Sequence, residues 1–375
     1  MNYYIIAGEA SGDLHGSNLI KELKKLDNDS VIRCWGGDKM EAAGAVLVKH
    51  YRNLAFMGFA EVIKNLPAIF KNLAFCRKDI SEFRPDVLVL IDYPGFNMRI
   101  AKWAHHNKFK VVYYISPQIW AWKENRVHAL KRDTDKMLVI LPFEKEFYKK
   151  YNYDAEYVGH PLAEVISDWH IKNPGIKKEN VIALLPGSRQ QEIEKKLPVM
   201  LRVSPFFPEY RFTVAKAPGI PDSFYEALMK PYTNTAAVND KTYELLAISK
   251  AALVTSGTAT LETALFGVPE IVCYKAGKIS YEIGKRLIKI KFISLVNLIM
   301  NREVVKELIQ DDMNAENIVM ELKSLLSKDG KAEKLQKDYA ELKALLTAGG
   351  HASAKAAECI ISFLNPNVEI TLSQE

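Results

Sequence analysis

Alternation constrains this chain more than any other feature: short apolar runs recur along it with helical patterns between them. The runs are Tyr3–Ala7, Val31–Trp35, Val87–Ile91, Val111–Ile115, Met137–Leu141, Val181–Leu185, Arg211–Ala215, Ala251–Val254 and Ile271–Tyr274. Strands alternating with helices predict parallel sheets covered on both faces, an α/β architecture. The rhythm breaks across Ile166–Asn180, which is polar and carries Pro174-Gly175. A linker is therefore expected at 166–180, between two doubly wound domains that face each other across a cleft, residues 1–165 and 181–346. Beyond Asn301 the text is charged and helical, and no strand is expected there. Ala352–Leu364 reads as a last helix and Pro366–Glu375 as a frayed tail, so 347–375 either packs on the first domain or swaps onto a partner.

Composition narrows the function classes. At 375 residues and 48% hydrophobic the chain supports two cores and is not disordered. A net charge of +6 permits contact with phosphate or anionic lipid without pointing to nucleic acid. Cys34, Cys76, Cys273 and Cys359 form no C-x-x-C pair, which argues against a zinc site or disulfide framework and fits a reducing cytoplasm. The opening MNYYIIAGEASGD lacks a basic n-region, so no signal peptide is expected. No apolar run approaches ~20 residues, the length a membrane span needs.

The strand ends carry the candidate chemistry. In Leu253–Pro269 a strand runs into the small-residue turn Thr255-Ser256-Gly257-Thr258 and then a helix closed by Gly267 and Pro269. Such a helix start points N–H groups and a positive dipole end at a diphosphate, or is an ordinary capped βα turn. Glu262, one turn in, is placed to accept from ribose hydroxyls or is a solvated first-turn acid. Pro186-Gly187-Ser188-Arg189 follows another strand and offers backbone donors and a guanidinium; with Lys275 it completes a phosphate-directed face. In the first half, Gly8-Glu9-Ala10-Ser11-Gly12-Asp13 opens directly after a strand. Its glycines suit either close approach of a ligand or tight packing of helix on sheet. Asp92, at the end of Val87–Ile91, is placed to act as a general base or to cap the next turn. Gln118, Trp120 and Trp122 lie in a post-strand loop, as an aromatic wall for a ligand or as a plug. His160, before Pro161, is a hinge contact or a satisfied turn residue.

Two stretches suit a lipid surface. Leu54–Phe75 places Phe59, Ile63, Leu66, Ile69 and Phe70 on one helical face with lysines opposite, and Lys278–Lys291 mixes basic and apolar residues. Both also read as core helices with solvated faces. The triplets Asp27-Asn28-Asp29 and Asp133-Thr134-Asp135 follow no hydrophobic strand, and no metal is expected.

Taken in order, GEASGDLHG, LIDYPGFN, SPQIWAWKENRVHALKRDTD, LPFEKEFY, VGHPL, LLPGSR, TSGTATLE and SLVNLI resemble the lipid-A-disaccharide synthase family, glycosyltransferase family 19, from about Ile5 to about Leu346. The resemblance implies a GT-B fold and an inverting enzyme with no metal or cofactor. It implies transfer of 2,3-diacylglucosamine from UDP to the 6-hydroxyl of 2,3-diacylglucosamine 1-phosphate, at the cytoplasmic side of the inner membrane and peripherally bound to it. By position it makes Asp92 the general base, Arg189 the arginine of the nucleotide side, Glu262 the ribose-binding acid and Asn297 the asparagine of the S-x-x-N-L block. It leans toward a homodimer. Competing readings are a UDP-N-acetylglucosamine 2-epimerase or another GT-B enzyme with a soluble substrate, and a non-catalytic nucleotide-sugar or lipid binding protein.

Overall fold

The computed structural model describes residues 1–53, 66–277, 281–282, 284, 290–327 and 331–366. Phe59, Ile63, much of Lys278–Lys291 and the tail from 367 lie outside the described residues, as does the side chain of Leu66. The chain divides into two compact units, Met1–Pro161 with Leu346–Glu375, and Leu162–Leu345.

Among the described residues the first unit holds one parallel sheet in the order β3-β2-β1-β4-β5-β6-β7. Its strands are β1 (Asn2–Ala7), β2 (Val31–Gly36), β3 (Val46–His50), β4 (Val87–Ile91), β5 (Val111–Tyr114), β6 (Lys136–Val139) and β7 (Ala155–Tyr157). The strand order reverses between β1 and β4, so the crevice beyond their carboxyl ends is the place where such a sheet receives a ligand. Both strands are almost wholly buried, as a strand covered by helices on both faces must be. One of those helices is the last in the chain: Ala356, Ala357, Ile360 and Ile361 of helix Ala352–Leu364 join Leu19, Ile20 and Leu23 of helix Ala10–Leu26 in the core.

The chain leaves this unit and returns to it at one point. His160 N–H donates to Leu346 O (2.9 Å). A β-carbon on Gly349 would come within 2.2 Å of the Gly159 nitrogen, and Gly159 itself has φ +87°. Only glycine allows two backbones to cross this closely.

The second unit holds a parallel sheet in the order β10-β9-β8-β11-β12-β13, with its reversal between β8 and β11. The strands are β8 (Val181–Leu185), β9 (Arg211–Lys216), β10 (Thr235–Asn239), β11 (Ala251–Thr255), β12 (Glu270–Tyr274) and β13 (Lys306–Ile309). β13 corrects the expectation of no strand beyond Asn301. The boundary also falls before the expected 166–180 linker. Pro161–Lys172 is a helix whose Ile166 is buried in the second unit's core beside Val181, Val254 and Phe266, with Trp169 packed against that cluster.

Candidate functional site

In the first unit, the turns after β1 and β4 flank the reversal point. Asp92 and Tyr93 both have left-handed backbone, φ +43° and +48°. That strain is held by bonds to carbonyls: Asn97 Nδ2 donates to Asp92 O (2.8 Å) and Ile91 O (3.1 Å), and the Tyr113 hydroxyl donates to Asp92 O (2.7 Å). The Asp92 carboxyl is half-buried, and burial, with the like charge of Glu9, pushes it up to about 6, against a backbone hydrogen bond from Tyr93. A carboxylate tuned this way takes a proton near neutral pH.

The second unit carries a cavity of about 260 Å³ at the carboxyl ends of its strands, across the β8/β11 reversal. Gly187, Ser188, Ser256, Gly257, Thr258 and Glu262 line it. Gly187 has φ +123°, and a β-carbon there would meet Glu192 Oε2 at 2.7 Å. Gly257, φ +152°, is the residue before helix Thr258–Leu265, whose first two residues, Thr258 and Ala259, line the cavity. Burial raises the Glu262 carboxyl and the Tyr243 hydroxyl beside it holds it back. Arg189 begins helix Gln190–Leu201 with an exposed side chain 3.9 Å from Glu192 Oε1. Neither Arg189 nor Lys275, half-buried beyond the end of β12, lines the cavity.

Several candidates are used differently from expectation. Gly8 lies under Tyr93, whose ring would be 2.3 Å from an added β-carbon, and Gly12 packs at 3.0 Å on Ala7. Both glycines serve packing. Asp13 is spent on the backbone, accepting from Gly37 N (2.8 Å), Met40 N (3.0 Å) and Lys39 N (3.2 Å). Ser11 and Gln118 are exposed. Trp120 is a plug, buried with its indole N–H donated to Glu144 (3.1 Å), while Trp122 is the exposed ring of the pair. His160 is buried, and burial and the neighbouring His15 push it down to about 3, so it is neutral. Asn297 is wholly buried. Its oxygen accepts from Val304 N and Val305 N, its Nδ2 donates to Val305 O and Glu307, and it does not line the cavity. The acidic triplets are also occupied: Asp27 accepts from the N-terminus, Asp133 from Arg132 and Asp135 from Val111 N.

The sequence profile described as lipid-A-disaccharide synthetase matches residues 3–362. The lipid-A-disaccharide synthase of Geobacter metallireducens is 38% identical over 371 residues, 96% of each chain, and that of Nitrosococcus oceani is 37% identical over 96% of this chain and 95% of its own. The chain belongs to the lipid-A-disaccharide synthase family. It is a glycosyltransferase of lipid A biosynthesis. Two solved structures share its fold: UDP-GlcNAc 2-epimerase from Neisseria meningitidis bound to UDP-GlcNAc (TM-score 0.67, 14% identical, 98% of this chain and 100% of that one) and the kitacinnamycin glycosyltransferase (0.68, 15%, 97% and 99%). At that identity the likeness is one of fold, the two parallel-sheet units of GT-B enzymes, and the epimerase reading has no other support.

Membership in the lipid-A-disaccharide synthase family makes sense of motifs that are far apart in the chain. SPQIWAW and LPFEKEFY belong together because Glu144 is almost wholly buried, accepting from Trp120, Leu141 N (3.0 Å) and Ile140 N (3.3 Å). Burial pushes its carboxyl up to about 7, opposed by those bonds. Sequence reasoning missed Glu144, and also Lys216, Thr242 and Glu192 in the cavity wall. Lys216 was findable, as the last residue of a strand whose carboxyl end faces the crevice.

Proposed function

We propose that the chain transfers 2,3-diacylglucosamine from UDP to the 6-hydroxyl of 2,3-diacylglucosamine 1-phosphate, forming the β-1,6 disaccharide and UDP with inversion. The observation that carries this reading is Asp92, half-buried at the β1/β4 reversal and pushed up to about 6. In a single displacement, the acceptor oxygen forms its bond to the anomeric carbon as its proton passes to the Asp92 carboxylate. The bond from that carbon to the diphosphate oxygen breaks, and its electron pair leaves with UDP. Arg189, the Ser256–Thr258 turn and the start of helix Thr258–Leu265 stabilise the departing charge. Gly187, Ser188 and Glu262 line the nucleotide end.

The substrates carry acyl chains, so the enzyme works peripherally at a membrane surface. Support comes from Phe70 and Phe75, 63% and 45% exposed on helix Leu66–Phe83, with Ile69 half-buried beside them. No helix among the described residues is long and apolar enough to cross a membrane. A homodimer fits the same family reading, and light scattering across a concentration series tests it.

UDP release in detergent and EDTA, given both diacylated substrates, tests the chemistry. Acceptor-dependent UDP and a disaccharide product are expected. Asp92→Asn is expected to abolish turnover while UDP binding persists. Turnover retained in Asp92→Asn removes Asp92 as the base, and no turnover from folded, UDP-binding wild type leaves a binding-only protein.

A further inference from the structure

The segment before helix Leu295–Met300 ties the cavity to the sheet edge. Ser256, in the cavity wall, donates its hydroxyl proton to Ile293 O (2.7 Å). Ile293 and Ser294 are in turn held by Glu307, a half-buried residue of the edge strand β13. Glu307 Oε1 accepts from Ser294 N (2.9 Å), Ser294 Oγ (2.8 Å), Asn297 Nδ2 (2.9 Å) and Ile293 N (3.2 Å), and its Oε2 also takes Ile293 N (3.0 Å). Ser294 and Asn297 are wholly buried.

Every partner of this carboxylate is a donor, and a carboxylate is the side chain that offers only acceptors. The Ser256 hydroxyl, already donating to Ile293, has no proton left for a ligand in this arrangement. What it does is hold the Ser256–Gly257 turn, where Gly257 has φ +152° and the following helix begins. We propose that Glu307 is a positioning residue for the nucleotide site: it fixes the Ile293 carbonyl, which fixes Ser256, which sets the turn that receives the diphosphate. Asn297 belongs to the same device, closing the Ser294–Val305 segment from within rather than touching the nucleotide.

The proposal rests on the cavity being the UDP site, and calorimetric UDP titration of the full chain separates the two ideas. If wild type does not bind UDP, the site reading fails. If wild type binds, Glu307→Ala is expected to weaken UDP by roughly tenfold or more, the scale of losing hydrogen bonds to a charged group. Glu307→Gln, which keeps one acceptor oxygen, is expected to fall between them and decides the matter if the alanine variant does not fold. A merely structural role is separated by a double-mutant cycle with Ser256→Ala. Positioning through Ser256 makes the two losses non-additive, with the KM for the acceptor unchanged. Unaltered UDP affinity in folded Glu307→Ala and Glu307→Gln, or strictly additive losses, overturns the proposal.

Discussion

Asp92 shows how much of a residue's chemistry is set by neighbours that its own position in the chain does not name. Its carboxyl is raised first by burial and then by Glu9, which is exposed across the β1/β4 reversal. The proposed base acts only when deprotonated, so kcat/KM is expected to fall as pH drops through about 6 and to be flat above it if Asp92 holds that role. Glu9→Gln removes a like charge and lowers the Asp92 pKa, so the acidic limb moves to lower pH. A pH–rate profile of the two proteins checks this, and an unmoved limb would mean that the limb belongs to another group. The placement of Asp92, Gly187 and the Ser256–Thr258 turn at strand ends was legible because each begins within two residues of an apolar run. For Gly8 and Gly12 the spacing left ligand contact and packing both open, and the contacts with Tyr93 and Ala7 decide for packing; the partners of Asp13 and Asn297, the Gly37–Met40 backbone and Glu307, were not legible, since they lie on other elements.

At the scale of elements, four strands went unread, and all four are sheet edges: β3, β7, β10 and β13. An edge strand need not be apolar on both faces, and these are half-exposed along most of their length; the hydrophobic run that signals a buried strand is short or missing in β7, β10 and β13, whereas β3 does carry one, Val46-Leu47-Val48. Helix Ala352–Leu364 is the opposite case. Its apolar face was plain in the sequence, but what it covers was left open between its own chain and a partner. It packs on helix Ala10–Leu26 of its own chain, with Ile360 fully buried. Ile360→Ala is therefore expected to destabilise the first unit by about 2–5 kcal/mol, the cost of a core cavity. Urea unfolding followed by tryptophan fluorescence measures it, and a loss under ~1 kcal/mol would place that helix outside the core.

For the whole molecule, the two units are unequal in how the chain builds them. The second, Leu162–Leu345, is one continuous segment with its own core and the complete cavity wall from Leu185 to Glu262. The first needs both chain ends, joined where Gly159 crosses Gly349. Residues 162–345 expressed alone are expected to unfold cooperatively in urea and to bind UDP, whereas residues 1–161 alone, without helix Ala352–Leu364, are expected not to fold cooperatively. Circular dichroism and calorimetry on the two fragments test both halves of that statement. A cooperative fold for 1–161 would show the last helix to be dispensable.

Local periodicity was enough to determine the α/β class, the interior strands and the strand ends that carry the motifs, because each depends on residues a few positions apart; the motifs themselves, taken in order, carried the family resemblance. Tertiary structure alone decided the strand orders, and with them the facts that the turns after β1 and β4 meet at one reversal point and those after β8 and β11 at another. It also decided which glycines are packing and which polar groups close on one another. Burial, backbone collision and hydrogen-bond closure are properties of distance in space, and hundreds of residues separate some of these partners in the chain, as Cys359 donating to Glu156 illustrates.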